Sequence, residues 1–273
     1  MRRLNKAHQP FIDKYPLSRI DQCMDALAGK KVFSSLDVSS SFHQVPIHPA
    51  DRHKTAFCTR RGQFQFKKLT MGFSSSPAAY SRLMEKVLCG LLYNVAVSYI
   101  DDVVVFADSF EQMLEHLKLV FARFRDAKLK LRPSKCLLFS PEIEFCGHII
   151  SAQGRRLVVS RTACLDELQF PHDIHSLRRL IGFFSYNRSY IDRFADLIEP
   201  LTCMTRKGAT MSPTPQAIDS FNRLKDAMRT APVLALPRDD AGDYELHCDA
   251  SLFALGAVLL QWQDGKRQCI EYA

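Results

Sequence analysis

Residues 94–107 read NVAVSYIDDVVVFA, and this segment is the strongest indication of how the chain folds. Apolar and β-branched residues lie on both sides of Asp101 and Asp102, so both halves have strand character. The segment therefore predicts an antiparallel hairpin with two acids at its tip. Ionised carboxylates between apolar strands are costly to desolvate, so their pKa rises or they bind cations, and this pair is expected to need a partner.

A third acid follows another apolar segment. KVFSSLDVSS (31–40) has strand character and carries Asp37 near its end. If this strand pairs with the hairpin, three carboxylates converge on one sheet edge, a donor set typical of Mg²⁺. Two such ions about 3.5–4 Å apart activate an attacking hydroxyl and stabilise a leaving oxygen in phosphoryl transfer. A solvated Asp-Asp turn is the open alternative, because Asp is common in turns.

The remaining patterns predict a mixture of strands and helices. The most regular helical stripe begins after Asp108 or Ser109, and Pro133 is expected to end that helix. A strand is expected at Phe42–Ile47, and residues 161–208 are expected to be helical throughout. The other expected elements are helices at Ser18–Ala28, Pro77–Leu92, Leu177–Phe194 and Ala217–Met228, hairpins at 54–70 and 142–151, a linker at 211–215 and a strand pair within 244–262.

Composition narrows the class of protein. The 273 residues carry 37 Lys and Arg against 29 Asp and Glu, a net charge of +8, and 47% are hydrophobic. These values are typical of a globular chain and exclude disordered and fibrous classes. The longest uncharged apolar segment, Val87–Ile100, is shorter than the roughly 18–20 residues that a bilayer needs. No membrane partner and an intracellular location, cytoplasm or nucleus, are therefore expected, and the nine cysteines, which form no CxxC, are interpreted as reduced core thiols.

Several motifs in register carry a family resemblance. YIDD (99–102), LDV (36–38), FHQVPI (42–47), KTAF (54–57), the run 69–80, LKLRPSKC (129–136) and EFCGHIIS (144–151) closely resemble the reverse transcriptase of Gypsy-class long-terminal-repeat retrotransposons. The likeness continues through SLRRLIGFFSYNRSYIDRF (176–194) and CDASLFALGAVLLQ (248–261), so it covers essentially the whole chain.

The resemblance implies an α+β fold, a right-hand polymerase palm built on an antiparallel sheet. Partial fingers and palm are expected over residues 1–151, a helical thumb or connection over 152–212, and the start of a truncated RNase H-like fold over 213–273. Both ends of the chain are expected to be truncated relative to the family pattern.

The resemblance also implies roles for residues near the acids. It implies that Asp37, Asp101 and Asp102 are catalytic and hold two Mg²⁺ ions, or Mn²⁺, with the Val38 carbonyl as a further ligand. Phe42 matches the aromatic residue that rejects ribonucleotides, since a ring beneath C2′ leaves no room for a hydroxyl. From the residues alone, the interpretation of Phe42 as a core side chain is favoured over this role. The nucleotide-binding set implied by the resemblance is Phe42, Met71, Gly72 and Tyr99, although TMGFSSSP (70–77) departs from the family's usual PFGLTNAP.

Two further sets come from the resemblance. Phe145, Cys146, Gly147 and His148 match the hairpin that grips the primer end, with a buried strand histidine as the alternative interpretation of His148. Asp249 matches the first acid of an RNase H-like site. One carboxylate cannot hold two metal ions, so no RNase H activity is expected, although Glu271 could be mistaken for a second acid.

The expected function is RNA-directed DNA polymerase, acting on a primed RNA or DNA template with deoxynucleoside triphosphates. Residues 111–135 carry seven bases against three acids, a charge that suits contact with phosphate backbones. A homo-oligomer or a parent polyprotein is also expected as partner. The alternatives are an inactive retroelement remnant, a nucleic-acid-binding module, or a metal-dependent nuclease, which lacks an obvious general base.

Overall fold

The computed structural model describes residues 1–9, 15–158, 163, 165–208, 211–250 and 255–273. The chain divides into two compact units, Met1–Cys146 and Gly147–Ala273. Residues 161, 162 and 164 of the expected helical region lie outside the described residues, as do the ends of the expected strand pair at 251–254. The expected division into three segments at 151 and 212 stays a prediction.

The first unit is built on a four-stranded antiparallel sheet with the order β4-β5-β1-β6. The expected strand at 31–40 and hairpin at 94–107 form the centre of this sheet. The strands of the unit are β1 Val32–Asp37, β2 Phe57–Thr59, β3 Gly62–Phe64, β4 Ala96–Tyr99, β5 Asp102–Ala107, β6 Leu137–Ser140 and β7 Glu142–Phe145, and its helices are α1 Arg2–His8, α2 Ile20–Asp25, α3 Ser76–Val87 and α4 Phe110–Asp126.

The sheet is buried on both faces, which explains the continuous run of valines in β5. Val103, Val104 and Val105 are each 0% exposed. Side chains alternate between faces along a strand, so Val103 and Val105 face α3 and α4, with which they share one apolar cluster. Val104 points to the opposite face, as does Asp102. Asp102 and Asp37, which lies directly opposite it on β1, therefore project from the face opposite the α3–α4 core.

The α4 helix begins where its cap residues predict. Ser109 Oγ accepts a hydrogen bond from the Gln112 amide at 3.2 Å, and Gln112 Oε1 accepts one from the Asp108 amide at 2.8 Å. This reciprocal bonding satisfies backbone donors that the first helical turn leaves open. The expected end at Pro133 is wrong. The helix ends at Asp126, and Lys128 adopts a left-handed conformation with φ of +55° that turns the chain back toward β1.

The strand expected at Phe42–Ile47 is wrong in its first half, whereas residues 45–47 pair with residues 67–69. Ser40 adopts φ of +49° directly after β1, and residues Ser41–Gln44 form a short 3₁₀ helix, called the 41–44 turn below. The Gln44 side-chain amide donates to the Lys130 carbonyl at 2.9 Å and accepts from the Lys130 amide at 2.7 Å. These long-range bonds favour the turn and leave no trace in the local alternation of side chains.

The second unit combines two small antiparallel sheets with three helices. Its strands are β8 His148–Ser151, β9 Gly154–Leu157, β10 Tyr244–Ala250, β11 Leu255–Gln263 and β12 Lys266–Tyr272, and its helices are α5 Ile174–Tyr186, α6 Phe194–Cys203 and α7 Pro215–Arg229. β8 pairs with β9, and β10, β11 and β12 pair in that order. The sequence patterns miss β12, because its segment KRQCIEY is mostly polar.

Expectations for the second unit hold in part. The expected helix at Leu177–Phe194 is interrupted, since α5 ends at Tyr186 and Arg193 has φ of +52° immediately before α6. The Asn187 side chain donates to the Phe183 carbonyl at 2.8 Å and so closes the end of α5. The helix expected at Ala217–Met228 is present as α7, because Thr214 caps it and Pro215 occupies its first turn. Pro215 of the expected linker at 211–215 therefore belongs to the helix.

The cysteine interpretation needs correction. The eight described cysteines are free, but Cys58, Cys89 and Cys248 are exposed and only Cys23 is buried, so most are not core thiols. Cys164 lies outside the described residues.

Among the described residues, no helix has the length and apolar character to cross a bilayer.

Candidate active site

Strand register brings the acids of the two apolar segments together. Asp37 at the end of β1 lies directly opposite Asp102 at the start of β5, and Tyr99 at the end of β4 lies opposite Asp102 on its other side. Directly opposed residues in an antiparallel pair have Cβ atoms about 4.5–5.5 Å apart. The candidate active site is thus the end of the central sheet, reached by three strands.

Asp101 lies in the two-residue turn between β4 and β5. The other turn residue, Ile100, has φ of +50°. A two-residue hairpin needs positive φ at its first central position, where glycine or asparagine is usual, and a β-branched residue is strained there. Strained backbone of this kind is typical of functional sites and persists only where the surroundings hold it.

Asp102 has an electrostatically unfavourable position. Its pKa is raised from the ordinary value of 3.8, first by loss of hydration and then by repulsion from Asp101, Asp37 and Glu144. Three neighbouring acids therefore act on Asp102 at this end of the sheet. A bound cation would remove the repulsion, whereas no basic side chain contributes to this pKa shift.

The donor chemistry suits a hard divalent cation, since it consists of carboxylate oxygens. In the described part of the chain, however, no group of three or more His, Cys, Asp or Glu side chains is arranged closely enough to hold a metal ion. The residues therefore suit a divalent cation by charge and donor type, and their side chains would have to move closer together to coordinate it.

The backbone of Val38 is oriented by its neighbours. Ser39 donates its amide to the Lys130 carbonyl, and Arg132 donates its amide to the Asp37 carbonyl, both at 2.9 Å. Because bonding alternates along an antiparallel pair, the Val38 carbonyl points away from the segment 130–132. The Val38 side chain is buried. Only its carbonyl is therefore placed to act as a ligand.

The pairing of residues 130–132 with the end of β1 also places basic residues near the acids. Residues 128–132 follow α4 and run beside the end of β1, which ends in Asp37. Lys130 and Arg132 have exposed side chains in this segment. All seven bases of residues 111–135 are exposed, and Lys130 and Arg132 are the two that lie in the stretch paired with the Asp37 end of β1.

The 41–44 turn contributes two residues. Ser41 is buried, and its hydroxyl donates to Asp101 Oδ1 at 2.6 Å. Phe42 is partly buried against the α3 core, and its ring meets Tyr80 edge to face with centroids 5.7 Å apart. Phe42 therefore packs in the core and is also the chain neighbour of Ser41, which binds Asp101. Its role as a core side chain and its role in rejecting ribonucleotides are both compatible with this position.

Met71 and Gly72 lie in a loop that α1 holds. Met71 is 66% exposed, and Gly72 has φ of +79°, a conformation that favours glycine. The Asn5 side chain donates to the Gly72 carbonyl at 2.8 Å and accepts from the Ser74 amide at 3.1 Å. Since this pair of bonds imitates a strand pairing, it fixes the loop in one conformation.

The four residues expected at the primer end differ in their surroundings. Phe145 is buried, and burial together with the charge of Asp102 raises the pKa of the Cys146 thiol to about 12. Cys146 and Gly147 both have positive φ, as a tight turn requires. The His148 ring is buried in the second unit and its Nδ1 lies 2.9 Å from the Tyr190 hydroxyl, as in the buried-histidine interpretation.

Asp249 and Glu271 do not share a site. Asp249 lies opposite Gly256, and Glu271 lies opposite Leu259. Gly256 and Leu259 are three residues apart on β11, so their side chains point to opposite faces, and the same holds for their partners. Glu271 instead lies 3.6 Å from the Arg155 guanidinium. Absence of RNase H activity stays a prediction.

Sequence reasoning missed Ser41, Asn5 and Gln44. The side chain of each forms a hydrogen bond with a residue that is 60 or more positions away in the chain. No local pattern marks them, because their partners are distant in sequence and two of the three bond to backbone groups.

An antiparallel sheet that carries acids at one end and packs helices against one face defines the palm of the right-hand polymerase class. Residues 1–150 match the family model described as reverse transcriptase (RNA-dependent DNA polymerase). The chain belongs to this reverse transcriptase family. Residues 214–273 match the model of the RNase H-like domain found in reverse transcriptase.

Curated relatives are retrotransposon polyproteins. The Pol polyprotein from transposon 412 of Drosophila melanogaster is 34% identical over 272 residues, which are 100% of this chain and 22% of the relative. The one from transposon opus of the same fly is 32% identical, over 99% of this chain and 28% of the relative. The Tf2-3 polyprotein of Schizosaccharomyces pombe is 29% identical over 96% of this chain and 19% of the relative. The chain thus spans about a quarter of the length of these relatives.

Solved structures share the fold. The foamy viral protease-reverse transcriptase dRH in complex with double-stranded DNA superposes with a TM-score of 0.86 at 22% identity, over 96% of this chain and 46% of that chain. The foamy viral protease-reverse transcriptase in complex with an RNA/DNA hybrid superposes with a TM-score of 0.82 at 22% identity, over 96% of this chain and 35% of that chain. The expected α+β right-hand palm is confirmed.

The repulsion at Asp102 makes a prediction about stability. Asp102→Asn should raise the melting temperature at neutral pH by roughly 2–4 °C, the size of a change of about 1 kcal/mol in a domain of this length. A carboxyl whose pKa is raised by folding destabilises the folded chain most above that raised pKa. The gain should therefore shrink as the pH falls through the raised pKa and vanish below the ordinary pKa of 3.8.

Thermal melts across pH measure this effect, with Asp239→Asn, an exposed acid of the second unit, as control. Mg²⁺ or Mn²⁺ should stabilise the wild type more than the Asp102→Asn variant. A lower melting temperature for Asp102→Asn at pH 7 would contradict the repulsion argument.

Proposed function

We propose that the chain is an RNA-directed DNA polymerase. It joins the α-phosphate of a deoxynucleoside triphosphate to the 3′-hydroxyl of a primer on an RNA or DNA template. One observation carries the proposal: Asp37 lies directly opposite Asp102, beside Asp101, at the exposed end of the sheet in a chain of the reverse transcriptase family.

Asp37, Asp101 and Asp102 are the proposed catalytic residues and, with the Val38 carbonyl, the proposed ligands of two Mg²⁺ ions or of Mn²⁺. When bound, divalent cations activate the attacking hydroxyl and stabilise charge on the leaving oxygen. The chain's own contribution is to collect carboxylates at one place. Burial first, and then repulsion from the neighbouring acids, raises the pKa of Asp102, and a bound cation would relieve that repulsion.

Nucleotide binding is proposed for the residues around the acids. Phe42 would exclude a 2′-hydroxyl, Tyr99 lies beside Asp102 on the neighbouring strand, and the loop with Met71 and Gly72 would lie against the incoming nucleotide. This assignment is supported by the bonds from Ser41 to Asp101 and from Asn5 to the loop backbone, which join these segments to one another and to α1.

Primer and template are proposed to contact the basic segment and the 145–148 segment. Exposed Lys130 and Arg132 lie beside the Asp37 end of β1, where phosphates of a bound strand would pass. The related solved structures hold double-stranded DNA or an RNA/DNA hybrid, which agrees with a duplex substrate. Phe145, Cys146, Gly147 and His148 would contact the primer end through their turn backbone.

Primer extension tests the proposed function. The wild-type chain should extend a DNA primer on an RNA template with deoxynucleotides and Mg²⁺ or Mn²⁺. Asp101→Asn combined with Asp102→Asn should abolish extension and retain salt-sensitive binding of the primer–template. Binding without extension by the wild type would contradict the proposal and favour a nucleic-acid-binding module.

Discrimination against ribonucleotides tests Phe42. Phe42→Ala should reduce the preference for deoxy- over ribonucleotides, measured as the ratio of kcat/KM values, by roughly 10- to 200-fold, because steric exclusion in a pocket has this range. Phe42→Tyr keeps a ring and serves as control. An equal loss of kcat/KM for both nucleotides would instead indicate that Phe42 acts only in the core.

Salt dependence of duplex binding tests the basic segment. Lys130→Ala and Arg132→Ala should each reduce the slope of log K against log salt concentration by about 1, because each removes one phosphate contact. Lys118→Ala is the matched control, since the Lys118 ammonium is already paired with Glu115 at 2.7 Å. Slopes that change equally in all three variants would count against a specific duplex path beside β1.

A further inference from the structure

The hydroxyl of Ser41 makes a short contact with one of the acids. Ser41 Oγ donates to Asp101 Oδ1 at 2.6 Å, a length typical of hydrogen bonds from a hydroxyl to an ionised carboxylate. Ser41 is 3% exposed, whereas Asp101 is exposed. A buried donor therefore holds one oxygen of a carboxylate that is otherwise open to solvent.

The donor is anchored much better than the acceptor. Ser41 begins the 41–44 turn, which Gln44 joins to the Lys130 backbone and Phe42 joins to the Tyr80 ring. Asp101 lies in a two-residue turn next to the strained Ile100. In the described part of the chain, the Ser41 hydroxyl is the one hydrogen-bond donor to the Asp101 carboxylate.

We propose that Ser41 is a positioning residue for Asp101. It fixes Oδ1 and thereby presents Oδ2 to the divalent cations of the proposed function, on which this inference rests. A donated hydrogen bond also withdraws negative charge from the carboxylate, which by itself weakens attraction for a cation. The gain from a fixed carboxylate orientation exceeds this loss, because without the hydrogen bond the side chain of Asp101 in its exposed turn would occupy several rotamers.

The position of Ser41 has a second consequence. The residue that holds Asp101 is adjacent to Phe42 on one rigid turn. Phe42, the residue proposed to contact the nucleotide, is thus the chain neighbour of the donor to Asp101.

Mn²⁺ binding tests the proposal without requiring turnover. The full chain is mixed with a primer–template whose primer ends in a dideoxynucleotide, and free Mn²⁺ is measured by electron paramagnetic resonance. Ser41→Ala should weaken Mn²⁺ binding about tenfold, which is about 1.4 kcal/mol. Ser41→Thr keeps the hydroxyl and should restore binding to within about twofold of wild type.

Tyr80→Phe is the matched control. The Tyr80 hydroxyl is also buried near Asp101, but in the described residues it has no hydrogen-bond partner. Removing it deletes an unsatisfied polar group, so Mn²⁺ affinity should be unchanged and the melting temperature should not fall. Melting curves for all variants separate a positioning effect from a loss of folding.

The outcomes separate the two proposals. Unchanged or tighter Mn²⁺ binding by folded Ser41→Ala overturns the role of Ser41, whatever the extension assay gives. Equal weakening in Ser41→Ala and Tyr80→Phe overturns it as well, because a general disturbance of the core would then be responsible. Failure of the wild type to extend a primer overturns the proposed function, while the Mn²⁺ titration still decides the role of Ser41.

Discussion

Repulsion among carboxylates is the constraint around which the first unit is organised. The β1–β5 register sets Asp37 against Asp102, and the β4–β5 turn adds Asp101 next to them. Like charges directly opposed across strands are destabilising, and this repulsion adds to the loss of hydration that is the largest cause of the raised pKa of Asp102. The valines of β5, buried on both faces, supply the hydrophobic stabilisation that maintains the register despite the charge.

The surroundings of the acids consist of segments that are distant in sequence and joined by side-chain bonds to backbone. Asn5 holds the 72–74 loop, Gln44 holds the chain at Lys130, and Ser41 holds Asp101. The strained Ile100 adjoins Asp101, which the Ser41 hydroxyl holds from outside the turn. A site built this way has rigid supports beneath an exposed acidic end, which suits binding of a cation and a phosphate chain.

Errors of the sequence interpretation have a common cause. The 41–44 segment alternates like a strand but forms a turn, because Gln44 finds partners 86 residues away. The α4 helix stops before its helical pattern is broken by proline, because Lys128 turns the chain toward β1. In both cases tertiary bonds override local propensity.

The sequence by itself determined the hairpin with acids at its tip, the strand that ends in Asp37, the α4 cap and the family, because hydrophobic periodicity, capping residues and motif order are local properties of the chain. Only the tertiary structure decided that Ser41 lies beneath Asp101, that Lys130 and Arg132 flank β1, and that His148 is bonded to Tyr190. Those relations depend on which distant segments meet when the sheet closes, and no local pattern encodes them.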